Sequence, residues 1–117
     1  MSVLIFVENW DGKFKKLSFE LVSYGAKVAE MLNTDAVALS VGQVEANELE
    51  KLGRYGAARI LSAVNDNINV FDSQAFTSII AGFAQQENAE VVLLSNNNTG
   101  KAIAPRLSVR LKAGLAA

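Results

Sequence analysis

Val91-Val-Leu-Leu-Ser-Asn-Asn-Asn-Thr-Gly-Lys-Ala-Ile-Ala-Pro-Arg106 is the stretch that decides the fold. Four apolar residues run without a charge and stop at an asparagine-rich loop. The loop feeds Thr99-Gly100-Lys101, and Ile103, Leu107 and Leu111 then recur at a helical step. An uninterrupted apolar run that ends at Ser/Asn/Gly and opens a helix predicts a buried parallel strand followed by its crossover helix. In open α/β sheets ligands and partners collect at this edge, because helix N-termini present free backbone N–H groups there.

The rest of the chain repeats the alternation. Val3 to Val7 predicts a buried first strand, rich in β-branched residues and ending at Glu8-Asn9-Trp10-Asp11-Gly12, with Asp-Gly as turn punctuation. Leu17, Leu21, Tyr24, Val28 and Leu32 follow at steps of four, three, four and four, which predicts one apolar face of a long helix. Asp35 to Val41 reads as the second strand, Glu45 to Leu52 as a short helix stopped by Gly53 or Gly56, and Ala58 to Ala63 as the third strand. Asn65 to Asn67 reads as loop. Asp72 or Ser73 can cap a third helix with Phe76, Ile79, Ile80 and Phe83 inward, ending at Glu87-Asn88. The order β-α-β-α-β-α-β-α predicts a three-layer α/β/α domain around a mainly parallel, Rossmann-like sheet. Ala113 to Ala117 follows a helix where this alternation calls for another strand, so the chain reads as a fragment cut at a domain's edge.

Composition narrows the chemistry. A chain of 117 residues, half of them apolar, a fifth charged and with one proline, is one domain with a real core. No apolar run reaches the ~20 residues of a membrane span. The N-terminus carries no signal-peptide pattern, which places the chain among soluble, cytoplasmic-type proteins without membrane insertion. A net charge of −1 gives no electrostatic reason to expect nucleic acid. Without cysteine or histidine there are no disulfides, no thiol or imidazole ligands for a metal, and no imidazole-based triad. No catalytic group is identifiable, and an enzyme is not expected.

Two loops compete as candidate sites. Asn96-Asn97-Asn98-Thr99-Gly100-Lys101 could cradle a phosphate with backbone amides, the threonine and the lysine, but lacks the glycine spacing and the Gly-Lys-Ser/Thr ending of a P-loop. The stronger reading is a capped strand-to-helix turn with Thr99 as N-cap. With Thr99 as cap, Pro105 lies too deep and costs a hydrogen bond; with a start near Lys101 it falls at the edge of the tolerated region. Glu8-Asn9-Trp10 ends the first strand beside the fourth, where a carboxylate could bind ribose hydroxyls. No Gly-x-Gly-x-x-Gly follows, and an acidic loop repels phosphate, so a solvated or partner-facing loop anchored by Trp10 is the stronger reading. Gly56 reads as the left-handed residue closing the second helix. Lys13, Lys15 and Lys16 read as the solvated entry to the first helix, and Arg106 and Arg110 as an outer stripe of the last.

Several of these residues together resemble a known family. Glu8 after the first strand, Asp11-Gly12-Lys13-Phe14-Lys15, Ser18-x-Glu20-Leu21 and Tyr55-Gly56-Ala57 occur in order. Thr99-Gly100-Lys101-x-x-Ala104-Pro105-Arg106-x-Ser108-x-Arg110-Leu111 with Gly114-Leu115 is the most specific part. Over essentially all 117 residues the chain is similar to the N-terminal domain of electron transfer flavoprotein alpha subunits. The resemblance implies a fold related to adenine-nucleotide-binding domains. It also implies a beta-subunit partner, FAD carried mainly by a separate C-terminal domain not present after Ala117, and electrons passed between dehydrogenases and a downstream acceptor. It makes this domain a scaffold with no cofactor of its own, since the beta counterpart binds AMP and the alpha version generally does not. The asparagine run 96–98 departs from that family, where smaller or more varied residues stand. The alternative is a stand-alone adenine-nucleotide-binding domain of universal-stress type, with the nucleotide at Glu8, Asn97, Thr99, Gly100 and Lys101. The missing Gly-rich phosphate loop counts against it.

Overall fold

The structure is a computed structural model that describes residues 2–64, 73–95 and 98–111. The element order is β1 (Ser2–Phe6), α1 (Lys16–Met31), β2 (Asp35–Val41), α2 (Ala46–Arg54), β3 (Arg59–Ala63), α3 (Ser73–Gln86), β4 (Ala89–Leu93) and α4 (Asn98–Leu111). The four strands pair in the order β3-β2-β1-β4, all parallel. This is the expected α/β/α arrangement, and β2 occupies the predicted residues 35–41. The expected loop at residues 65–67, the Asp72 cap and the segment 113–117 lie outside the described residues.

β1 sits in the middle because its side chains are apolar on both faces. Val3, Ile5 and Val7 pack with Val22 and Ala29 of α1 and Leu52 of α2 on one side. Leu4 and Phe6 pack with Ile80, Ala81 and Ala84 of α3 and Ile103 and Leu107 of α4 on the other. Each fully buried side chain of this size contributes about 1.5–3 kcal/mol, so β1 stabilises the sheet from both faces.

The helices end as their sequences dictate. α1 closes in a Schellman turn: Asn33 takes φ 55°, its N–H donates to the Glu30 carbonyl, and the Thr34 N–H donates to the Ala29 carbonyl. α2 closes the same way on Gly56, at φ 116°, with Ala57 donating to Leu52. Of the two glycines proposed to stop α2, Gly56 ends it and Gly53 stays inside. Asn88, also left-handed, follows α3. Asparagine tolerates this conformation better than other non-glycine residues. At the start of α1, Ser18 in the third helical position accepts the Lys15 N–H and donates to the Glu8 carbonyl.

Two expectations are corrected. The inward face of α1 is Ser18, Val22, Gly25 and Ala29, one residue along from the predicted stripe of Leu17, Leu21, Tyr24, Val28 and Leu32. The reason is clearance: a Cβ on Gly25 would lie 2.3 Å from Ile5 Cδ1 and 3.3 Å from Leu93 Cδ1, so only the small-residue face lets the helix approach the sheet. The second correction concerns Thr99, which lies within α4 and is not its N-cap, because the helix already begins at Asn98. Pro105 is therefore inside the helix, where it offers no N–H to the Lys101 carbonyl.

Overpacking a buried contact costs about 1–3 kcal/mol, against a helix-propensity gain for alanine over glycine of ~1 kcal/mol. Gly25→Ala is therefore expected to lower the urea midpoint, and an unchanged or raised midpoint would show that α1 does not sit this close. Pro105 is exposed, so replacing it removes a helix breaker without opening a cavity. Pro105→Ala should raise stability by about 1–3 kcal/mol in the same titration.

Candidate functional site

The C-terminal edge of the sheet brings β1 and β4 side by side, with the β1–α1 loop above them. Glu8 follows β1 and Ser95 follows β4. The Ser95 hydroxyl donates to Glu8 Oε1 at 3.3 Å, joining residues 87 positions apart. Asn9 does two jobs: its Nδ2 donates to the Val41 carbonyl at 2.8 Å, and its Oδ1 accepts the Gly12 N–H at 3.2 Å. The loop is thereby tied to the end of β2 as well as to β4.

Local sequence shapes the rest of the loop. Trp10 and Lys13 exchange two backbone hydrogen bonds across Asp11-Gly12, and these two residues take φ 52° and 79°. This is the primed two-residue turn that Asp-Gly favours. The Lys15 ammonium stands 4.4 Å from the Trp10 ring centroid, a cation–π contact on the loop's outer side. The basic entry to α1 is otherwise solvated, with Lys16 3.8 Å from Glu20.

Of the proposed nucleotide-contacting residues, Asn97 lies outside the described residues. Gly100 is buried in the first turn of α4, and Lys101 on the same turn is exposed. Thr99 belongs to that turn too. The structure thus brings Glu8 to Ser95, just past the end of β4. Sequence reasoning placed Glu8 beside the fourth strand but missed Ser95 as its partner and Asn9 as the loop's anchor. The only available signal was that both are short polar side chains immediately after buried strands.

Among the described residues, the edge carries the Glu8 carboxylate, the Ser95 hydroxyl donates to Glu8, the Asn9 amide to Val41 and the Ser18 hydroxyl to the Glu8 carbonyl. Among the described residues there is also no group of acidic side chains placed to hold a metal ion, and no helix long and apolar enough to cross a membrane. An open groove of about 510 Å³ lies elsewhere, between α1 and α2, where Phe19 stacks on Tyr55 at 4.6 Å.

The fold is a three-layer α/β domain with a parallel sheet, and comparison with known proteins identifies its family. Residues 3–117 match the family described as the electron transfer flavoprotein domain, and the chain belongs to that family. It is 28% identical over 115 residues to the electron transfer flavoprotein subunit alpha of Clostridium acetobutylicum, covering 98% of this chain and 34% of the relative. With the corresponding subunit of Mycobacterium tuberculosis it shares 32% identity over 113 residues, 97% of this chain and 35% of the relative. It also resembles the acryloyl-CoA reductase electron transfer subunit beta of Anaerotignum propionicum, at 28% identity over 98% of this chain and 31% of that one. The chain thus spans about a third of the length of these relatives. In fold it is similar to a universal stress protein from Archaeoglobus fulgidus solved in complex with dAMP. There the TM-score is 0.59 at 12% identity, with 97% of this chain and 91% of the other covered.

Removing a side chain that satisfies two backbone groups leaves both to be resolvated, at about 1–3 kcal/mol. Asn9→Ala should therefore lower stability by that amount. Asn9→Asp should recover none of the loss from the Val41 side, because a carboxylate cannot donate to a carbonyl. Equal stability of all three proteins in urea would show that the loop is not held by Asn9.

Proposed function

We propose that this domain is a scaffold and subunit-interaction module of a two-subunit flavin electron carrier, one that passes electrons between dehydrogenases and a downstream acceptor. The observation that carries this reading is the family match over residues 3–117. The chemistry of the sheet edge supports it: Glu8, Asn9, Ser18 and Ser95 spend their hydrogen bonds on holding β1, β2, β4 and α1 together. A rigid, internally satisfied edge suits a platform. The FAD would be held mainly by a further C-terminal domain of the alpha chain, where it supplies the electron-carrying chemistry. The side chains described here would brace the strands of the platform on which that domain and the beta subunit rest. On this reading the chain is the N-terminal domain of an alpha subunit, and it contributes no catalytic group.

A second reading is favoured by one observation, the fold likeness to a universal stress protein solved with dAMP. An adenine nucleotide would then cross the ends of β1 and β4 at Glu8, Asn97, Thr99, Gly100 and Lys101. The carboxylate of Glu8 opposes its phosphates.

Co-expression with a cognate beta subunit should yield a complex on size exclusion, colourless in the flavin bands when only this domain is present. No association, even by an alpha chain carrying its flavin domain, would sink the scaffold reading. Calorimetric titration with AMP and ATP should give no heat of specific binding. Micromolar affinity, lost in Lys101→Ala, would establish the second reading in its place.

A further inference from the structure

Asp11 is the one aspartate or asparagine of this chain that a glycine follows. A following side chain shields the backbone nitrogen beside such a residue, and Gly12 has none to offer. The fold holds this pair in place. Trp10 and Lys13 exchange two backbone hydrogen bonds around it, with Asp11 exposed at the tip and left-handed at φ 52°. A Cβ at residue 12 would lie 3.0 Å from the Gln43 carbonyl oxygen, at a φ of 79°. The turn thus demands at position 12 the residue that leaves its neighbour reactive.

One hydrogen bond opposes the reaction. The Gly12 N–H donates to Asn9 Oδ1 at 3.2 Å, and Asn9 is itself fixed by its Nδ2 donating to the Val41 carbonyl at 2.8 Å. The Gly12 nitrogen can attack only after that N–H is released and the peptide plane between Asp11 and Gly12 turns toward the Asp11 side chain.

We propose that Asp11-Gly12 is a self-modification site, at which Asp11 converts to isoaspartate under the restraint of Asn9. The Gly12 nitrogen bonds to Cγ of the Asp11 carboxyl in its acid form. The Cγ–OH bond breaks, and the hydroxyl leaves as water with the proton from nitrogen, closing a succinimide ring. Water then adds to either carbonyl of the ring. Opening at Cγ restores aspartate. Opening at the main-chain carbonyl leaves Gly12 joined through Cγ, with a methylene added to the backbone. The sum is an isomerisation that releases one water and takes one up. The longer main chain no longer closes the two-residue turn between Trp10 and Lys13, nor presents the Gly12 N–H to Asn9. The reaction needs no partner and no open face of the domain.

Peptide mapping of the incubated chain reads the outcome, since cleavage after Lys13 isolates residues 1–13. The expected product is a peptide of unchanged mass that elutes apart from the original and takes a methyl group from an isoaspartate-specific methyltransferase. The Asn9→Ala chain should form it about fivefold faster, the share of one hydrogen bond. Asn9→Asp keeps the acceptor for Gly12 and loses only the hold on Val41, so its rate should stay near that of the parent chain. Asp11→Glu, which would have to close a larger ring, should abolish the product. The synthetic peptide of residues 1–13, without the folded domain around it, should react faster than the folded chain. Absence of the product from both the parent and Asn9→Ala chains overturns the proposal. So does equal acceleration in Asn9→Ala and Asn9→Asp, which would make loop stability and not the Gly12 hydrogen bond the control. A folded chain that reacts as fast as the peptide overturns it too.

Discussion

The seating of α1 on the sheet is the constraint on which the rest depends. β1 is apolar on both faces and must be covered twice, and the helix that follows it does the first covering. Ile5 occupies the space directly under Gly25, so helix and strand approach to a distance that no larger residue allows. That approach sets which side of α1 turns inward. It also positions Ser18, whose hydroxyl binds the carbonyl of Glu8 and fixes where β1 stops and the loop begins. From there the parallel order β3-β2-β1-β4 follows, since β1 needs a strand on each side as well as a helix layer on each face.

The edge loop continues the same logic. Buried parallel strands end in backbone groups and polar side chains that water or protein must satisfy. Here the protein does so itself: Asn9 reaches β2, Ser95 reaches Glu8, and the Asp11-Gly12 turn folds Trp10 back under Lys15. At the opposite edge, Arg59 pairs with Glu87, and the Ser2 hydroxyl donates to the Glu87 carbonyl, so the turn before β4 is fastened to β1 and β3. The sheet is thus braced at both ends.

Membership of the electron transfer flavoprotein family and likeness in fold to a universal stress protein fit together physically. The same three layers can carry a nucleotide at the strand edge or close that edge with their own side chains.

The sequence by itself determined the alternation of elements, the parallel sheet, the left-handed turn at Gly56 and the family, because each is a local pattern: uninterrupted apolar runs, a helical period, a glycine after a helix, or the motif from Thr99 to Leu111. It also placed Glu8 beside the fourth strand. It did not determine which face of α1 is buried. Two adjacent stripes run along that helix, and periodicity favours the one with larger apolar residues, whereas the sheet accepts the one with smaller residues because Ile5 and Leu93 leave no room for a side chain at Gly25. Nor did it pair Ser95 with Glu8, since those residues meet only when β4 lies against β1. Local sequence can specify what an element is. Which of its faces meets the sheet depends on the clearance between elements, and that exists only once the tertiary structure has formed.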